Sequence, residues 1–237
     1  MSKSYFQFKQ FGVHQDRCAM KVGTDGVILG ALAGDGNAKT MLEIGVGTGV
    51  VSLMMAQRFG NLNITGVELD KDTIGQALEN ANSSPWKERI TFLHQDFQSF
   101  SRNSNQKFGL IVSNPPYFPN HLKSMDTKRN LAMHNDSLPF DDLIEGVQRL
   151  LEEKGKFWVI LPPKEMRVLE EKAKVKNMFP EWRLVVKDRP SKQPHREVQV
   201  FSLQSVEKRT EELIIKDENG AYSLGYSRLL TEFLLIF

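Results

Sequence analysis

The stretch Met41-Leu42-Glu43-Ile44-Gly45-Val46-Gly47-Thr48-Gly49 decides the fold. An apolar run at 41–44 stops at three alternating glycines, and 50–59 then carries apolar residues at helical spacing. Strand, glycine turn and helix in that order open a parallel α/β sheet, whose ligands bind outside the carboxyl ends of its strands. The spacing G-x-G-x-G narrows the ligand. A dinucleotide fingerprint places its third small residue at position 50, which is Val50, and no Lys-Ser/Thr pair follows. A nicotinamide or flavin dehydrogenase and a P-loop are both disfavoured.

Reading onward, 64–67, 90–93, 108–112 and 157–161 are further apolar strands. Between them, Asp72 opens a helix with Ile74, Ala77, Leu78 and Ala81 on one face. Pro139 with Asp141 and Asp142 suits a helix start, and Phe140, Leu143, Ile144, Val147, Leu150 and Leu151 form its buried stripe, with Gly155 marking the exit. Another helix spans 165–177. Runs 183–186 and 198–203 lack a helix between them and pair as an antiparallel hairpin. The expectation is an α/β fold with a mostly parallel seven-stranded sheet, helices on both faces and an antiparallel C-terminal hairpin. Upstream, Phe6, Phe8 and Phe11 suggest a small β element, and Thr24 or Asp25 caps a short helix through Leu32. We divide the chain into an N-terminal extension (1–38) packing over the ligand site, a main domain (39–205), and a C-terminal appendage of that domain (206–237), which adds a further short strand.

Bulk composition removes several classes. Hydrophobic content of 40% and charged content of 25% are ordinary for a globular chain. No window approaches the roughly 18 apolar residues of a membrane span. The opening Met1-Ser2-Lys3-Ser4-Tyr5 has no apolar signal core, and the single Cys18 cannot form an internal disulfide; both fit a cytoplasmic location. Thiolate-rich metal sites are excluded, and His14, His94 and His121 lack ligand spacing, so no metal is expected. The net charge of +2 does not announce a nucleic-acid binder, but the bases are clustered. Lys123, Lys128 and Arg129 form one group, and Lys187, Arg189, Lys192, His195 and Arg196 another.

One acid falls at or near the ends of three successive strands: Glu43, Glu68 (followed by Leu69 and Asp70) and Asp96 (followed by Phe97). Such carboxylates accept ribose hydroxyls and an adenine amino group, Phe97 offers a ring face, and the acids repel a pyrophosphate. They describe a pocket for an adenosine without phosphates, although Glu68 is also placed to cap a helix and Asp96 to be an ordinary surface acid. After the fourth helix-flanked strand comes Ser113-Asn114-Pro115-Pro116-Tyr117. It combines a neutral amide, a backbone fixed by two prolines and an aromatic ring, the parts needed to hold a flat amino group without charging it.

These motifs, over about residues 20–205, resemble the class I S-adenosylmethionine-dependent methyltransferases with their Rossmann-like fold. The resemblance makes 39–205 the methyltransferase domain and S-adenosyl-L-methionine the cofactor. It implies that Gly45, Gly47 and Gly49 wrap the methionine part, with Glu43 at the pocket floor. Glu68 and Leu69 would hold the ribose, and Asp96 and Phe97 the adenine. Lys21, Thr24 and Asp25, in Lys21-Val22-Gly23-Thr24-Asp25-Gly26, would cover the cofactor from the N-terminal side. Asn114, Pro115, Pro116 and Tyr117 would be catalytic, Asn114 also touching the cofactor: two uncharged oxygens, from Asn114 and the Pro115 carbonyl, aim the acceptor nitrogen's lone pair while Tyr117 stacks on the base.

The same tetrapeptide serves adenine in DNA, adenine or guanine in RNA, and the side-chain amide of glutamine in protein. Phe8-Lys9-Gln10-Phe11, Asp16-Arg17-Cys18-Ala19-Met20-Lys21, Ser84-Pro85-Trp86-Lys87-Glu88-Arg89 and Pro194-His195-Arg196 are similar to the bacterial valine-tRNA adenine-N6 methyltransferases. That family modifies adenosine 37, immediately 3′ of the anticodon. The resemblance implies tRNA as partner, with no membrane and no obligate protein partner, and Lys123, Lys128, Arg129, Arg189, Lys192, His195 and Arg196 as its contacts. Glutamine N5-methylation, methylation of an rRNA or DNA amino group, and a catalytically silent RNA-binding module on the same fold remain as alternatives.

Overall fold

The computed structural model describes residues 4–34, 36–116 and 138–237. Tyr117, His121, Lys123, Lys128, Arg129 and His134 lie outside the described residues.

An antiparallel pair, β1 (Tyr5–Gln7) and β2 (Gly12–His14), precedes helix α1 (Thr24–Leu32). The alternation then runs β3 (Thr40–Ile44), α2 (Val50–Arg58), β4 (Asn63–Glu68), α3 (Lys71–Asn82), β5 (Ile90–His94), α4 (Phe97–Asn103) and β6 (Phe108–Ser113). After residue 138 come α5 (Phe140–Leu150), β7 (Leu151–Leu161), α6 (Pro163–Val175), β8 (Phe179–Lys187), β9 (Arg196–Ser202), β10 (Arg209–Ile214) and α7 (Leu224–Leu230). The main sheet has the order β10-β8-β9-β7-β6-β3-β4-β5. Strands β3 to β7 are parallel, while β9 runs antiparallel to both β7 and β8.

The sheet therefore has eight strands where seven were expected. The added strand, β10, pairs parallel with β8 at one edge, with Arg209 opposite Trp182 and Ile214 opposite Lys187. Two local expectations also change. Thr24 and Asp25 are the first residues of α1, whose N-cap is Gly23 with no side-chain cap. Leu151 belongs to β7, which follows α5 without a loop and carries Gly155 inside it.

Two cores cover the sheet. Val27, Ile28 and Leu29 of α1, Leu53 and Met54 of α2 and Ile74 of α3 pack on one face with Met41, Ile64, Leu110 and Val112. Phe97 and Phe100 of α4, Leu143 and Val147 of α5 and Met166 and Leu169 of α6 pack on the other with Leu42, Ile44, Ile111 and Phe157. This alternation of neighbours is what buries both faces of a parallel sheet. Arg89 closes the far end of α2: its guanidinium donates to the carbonyls of Ala56 (2.9 Å), Phe59 (2.9 Å) and Leu62 (2.8 Å). A cation there satisfies helix carbonyls that would otherwise lack donors.

From β3 the chain moves outward through β4 to β5, and from β6 it moves the other way through β7. The order thus reverses between β3 and β6, and at such a point the loops diverge and leave a crevice. Ile44 and Ser113 are register partners there, and the buried Ser113 Oγ donates to the Ile44 carbonyl at 2.9 Å.

Candidate active site at the switch point

A cleft of about 720 Å³ opens at the carboxyl ends of β3, β4, β5 and β6. Gly45, Gly47, Glu68, Leu69, Asp96, Phe97, Asn114, Pro115 and Pro116 all line it, as do Ala19, Met20 and Asp70.

The glycine turn has φ of 77° at Gly45, 55° at Gly47 and 81° at Gly49, a region that side chains other than glycine seldom adopt. Among the described residues beyond its chain neighbours, a Cβ at Gly45 or Gly47 would meet no atom within 4 Å, whereas one at Gly49 would touch Phe92 and Ala77. The first two glycines therefore open a backbone cradle, and the third allows α2 to pack. Accordingly Gly49 is the N-cap of α2 and does not line the cleft.

Glu68 holds this turn in shape. One carboxylate oxygen accepts from Gly47 N at 3.0 Å and the other from Asp70 N at 3.0 Å. It is Asp70 that caps α3, accepting from Thr73 N at 2.8 Å. Asp96 caps α4 through Ser99 N at 2.7 Å, and that backbone hydrogen bond is the main cause holding its carboxyl below the usual range. A carboxylate has about four acceptor sites, so one internal bond per oxygen leaves both acids able to take ligand hydroxyls or amines. Phe97 is buried against α5, where Gly146 makes room: a Cβ there would sit 2.5 Å from the ring.

Glu68, Asp70, Asp96 and Asp142 face the cleft, with Arg102 as the one cation among its described lining residues. Such a surface suits a hydroxyl- and amine-bearing or cationic ligand and disfavours a polyphosphate. The open glycine cradle and these acceptors fit an S-adenosylmethionine.

Glu43 lies elsewhere than the cleft lining. Only 3% exposed, it accepts from Ser52 N at 3.1 Å and from Ser52 Oγ, tying β3 to the first turn of α2. Burial pushes its carboxyl up to about 8, against the opposing effect of the Ser52 hydrogen bonds. The folded protein then binds a proton that the unfolded chain has released above the ordinary glutamate value of 4.5. The contribution of Glu43 to stability falls as pH rises from about 4.5 towards 8, because at this group the native state holds more protons across that window. Glu43→Gln removes the charge and keeps an acceptor for Ser52. Its denaturant midpoint should therefore gain on the wild type as pH rises through that window; parallel curves would exclude the effect.

Lys21, Thr24 and Asp25 do not line the cleft either; the residues just before them, Ala19 and Met20, do. Asp25 Oδ2 instead receives Arg196 Nε at 2.6 Å. Arg196, Arg189, Lys192 and His195 belong to the β8–β9 turn and its end. Glu197 pairs with Leu161, the last residue of β7, so this turn rises on the same edge of the sheet as the cleft. Lys192 is exposed, and Arg189 lies 3.6 Å from Asp188. His195 is half-buried, its Nδ1 has no hydrogen-bond partner among the described residues, and burial holds its pKa below the ordinary histidine value, which favours the neutral ring. The sequence reading also passed over Gln95, Gln98 and Asp142, polar residues at helix starts that become cleft walls only once α4 and α5 pack together.

The fold and the switch-point cleft define a class I methyltransferase, and the model of the methyltransferase small domain matches residues 20–190. A protein described as a predicted O-methyltransferase from Agrobacterium tumefaciens shares the fold at a TM-score of 0.70 and 17% identity, over 88% of this chain and 96% of that one. A tRNA1(Val) (adenine(37)-N6)-methyltransferase of Bacteroides fragilis is 41% identical over 236 residues, 99% of each chain. One of Yersinia enterocolitica is 40% identical over 231 residues, 97% of this chain and 92% of that relative. The chain belongs to the tRNA1(Val) (adenine(37)-N6)-methyltransferase family.

Proposed function

We propose that the protein transfers a methyl group from S-adenosylmethionine to N6 of adenosine 37 in valine tRNA. The observation that carries this reading is the position of Asn114. It stands at the end of β6, one strand across from the glycine turn after β3, and lines the same cleft. The bound cofactor supplies an electrophilic methyl group on a sulfonium centre. Gly45 and Gly47 leave backbone open for it, Glu68 accepts from its ribose and Asp96 from its adenine amino group. The Asn114 side-chain oxygen and the Pro115 carbonyl accept from the two hydrogens of the acceptor nitrogen. Its lone pair, otherwise delocalised into the ring, then points at the methyl group. Tyr117, next in sequence, has the ring to stack on the flipped base. No strong base is needed, because the product nitrogen loses its proton after transfer, and positioning carries most of the rate.

The exposed Lys192 and the neighbouring Arg189 are the contacts we assign to tRNA phosphates on the β8–β9 turn, with Lys123, Lys128 and Arg129 as further ones. His195 is assigned a neutral contact. An anticodon-loop adenosine is already almost unpaired, so extruding it costs little. Acting on tRNA, the enzyme works in the cytoplasm; among the described residues no helix is long and apolar enough to cross a membrane. The test is labelled S-adenosylmethionine offered in parallel with total tRNA, total DNA and a protein extract. Label should enter tRNA alone and be recovered as N6-methyladenosine at position 37. Label found only in protein would establish glutamine methylation instead.

A further inference from the structure

Three buried side-chain amides, used by no step above, join the N-terminal segment to the cofactor cleft. Asn80, on α3, is 2% exposed. Its Oδ1 accepts from His14 N at 2.8 Å, and its Nδ2 donates to His14 O at 2.9 Å and to Thr48 O at 3.0 Å. One turn earlier, Gln76 is 1% exposed; its Oε1 accepts from Arg17 N at 2.9 Å and its Nε2 donates to Asp16 at 2.9 Å. Gln15 closes the segment on itself, accepting from Val22 N at 2.8 Å. Residues 14–18 are thus hydrogen-bonded to α3 and lead directly into Ala19 and Met20, which line the cleft.

A helix needs only apolar contact to hold a neighbouring segment. Buried amides are costly unless every donor and acceptor is paired, and in return they fix direction and distance. Asn80 uses both of its amide hydrogens, and they go to two different segments, each of which carries residues that line the cleft. One reaches His14, at the root of the segment that carries Ala19 and Met20. The other reaches Thr48, inside the glycine turn.

We propose that Asn80 is a positioning residue for the methyl donor, setting the separation between the Ala19-Met20 wall and the glycine turn. The proposal rests on the reading of this cleft as the S-adenosylmethionine site. Cys18 provides a local reporter. It is the only cysteine of the chain and lies within the segment, buried, with Sγ 3.5 Å from Gln76 Oε1.

The experiment uses Asn80→Leu, which keeps the branched heavy-atom skeleton and removes all three hydrogen bonds. S-Adenosylmethionine and S-adenosylhomocysteine affinities are measured by calorimetry well below the melting temperature, alongside kcat at saturating donor and the rate of Cys18 labelling by a disulfide reagent. Both dissociation constants should rise at least about tenfold, since backbone groups lose buried partners. Turnover at saturation should stay within about threefold, because the acceptor side is untouched. Cys18 labelling should accelerate at least about tenfold, since the thiol reacts only when the segment opens. A lowered melting temperature with unchanged affinity and unchanged labelling would mean that Asn80 merely supports the core, and would overturn the proposal. Should the variant fail to fold, the wild type decides: saturating S-adenosylhomocysteine must slow Cys18 labelling, and an unaltered rate despite calorimetric binding overturns the proposal. A wild type that binds neither ligand overturns the cofactor reading itself, and the positioning role with it.

Discussion

Asn114→Ala should lower kcat by about a hundred- to a thousandfold while leaving the cofactor dissociation constant within about threefold. The size follows from the kind of interaction removed. A neutral acceptor aimed at the amino hydrogens matters most as the nitrogen becomes tetrahedral, so its loss appears in the transition state and hardly in ground-state binding. The structure gives the side chain little freedom to be replaced by a neighbour. Ser113 is locked to the Ile44 carbonyl on one side and Pro115 is buried on the other. Single-turnover rates on valine tRNA, with cofactor affinity by calorimetry, separate the two quantities. A variant retaining near-normal turnover would remove Asn114 from the chemistry.

The second large effect is expected at Glu68, in affinity and not in rate. Removing its carboxylate by Glu68→Ala takes the acceptor from Gly47 N and Asp70 N, and with it the ribose contact we propose. Hydrogen bonds to a charged group contribute about 1.5–3 kcal/mol each, and water in the open cleft replaces part of that. A net loss of about 3 kcal/mol corresponds to roughly a hundredfold weaker cofactor binding. Glu68→Gln keeps one oxygen acceptor and should fall between the wild type and the alanine variant. Calorimetry that finds all three equal would reassign Glu68 to loop structure alone.

Much of the sheet was legible because burial on both faces writes itself as short apolar runs, as at 41–44 and 108–112. Strand β10 was legible only as a further short strand in the appendage, without its start or its place in the main sheet, for the complementary reason. Arg209, Thr210, Glu211 and Glu212 are all exposed, so an edge strand there lacks the apolar alternation that marks a half-buried one. The start of β7 was hidden likewise, since Glu152, Glu153 and Lys154 are exposed and carry no apolar alternation before Gly155. At the site, the glycines, Glu68, Asp96 and Asn114 could be found because strand-end position alone brings them together. Asp25 and Arg196 were separately assigned to cofactor and RNA, yet they form one ion pair across 171 positions of chain. Gln76 and Asn80 gave no signal at all. An amide on an amphipathic helix looks solvated until the segment that covers it is known.

The pairing of Ile44 with Ser113 also acts as a gauge. Hydrogen-bonded strands lie about 4.8 Å apart, and each residue advances about 3.3 Å along its strand. The two arms of the site hang from adjacent strands, so the reach between them is inherited from main-chain spacing and owes little to side-chain adjustment. A slip of β6 by one residue against β3 would carry Asn114 about one residue's rise out of range and turn it to the opposite face. The Ser113 hydroxyl, bonded to the Ile44 carbonyl, adds a side-chain tie between the two strands at that point.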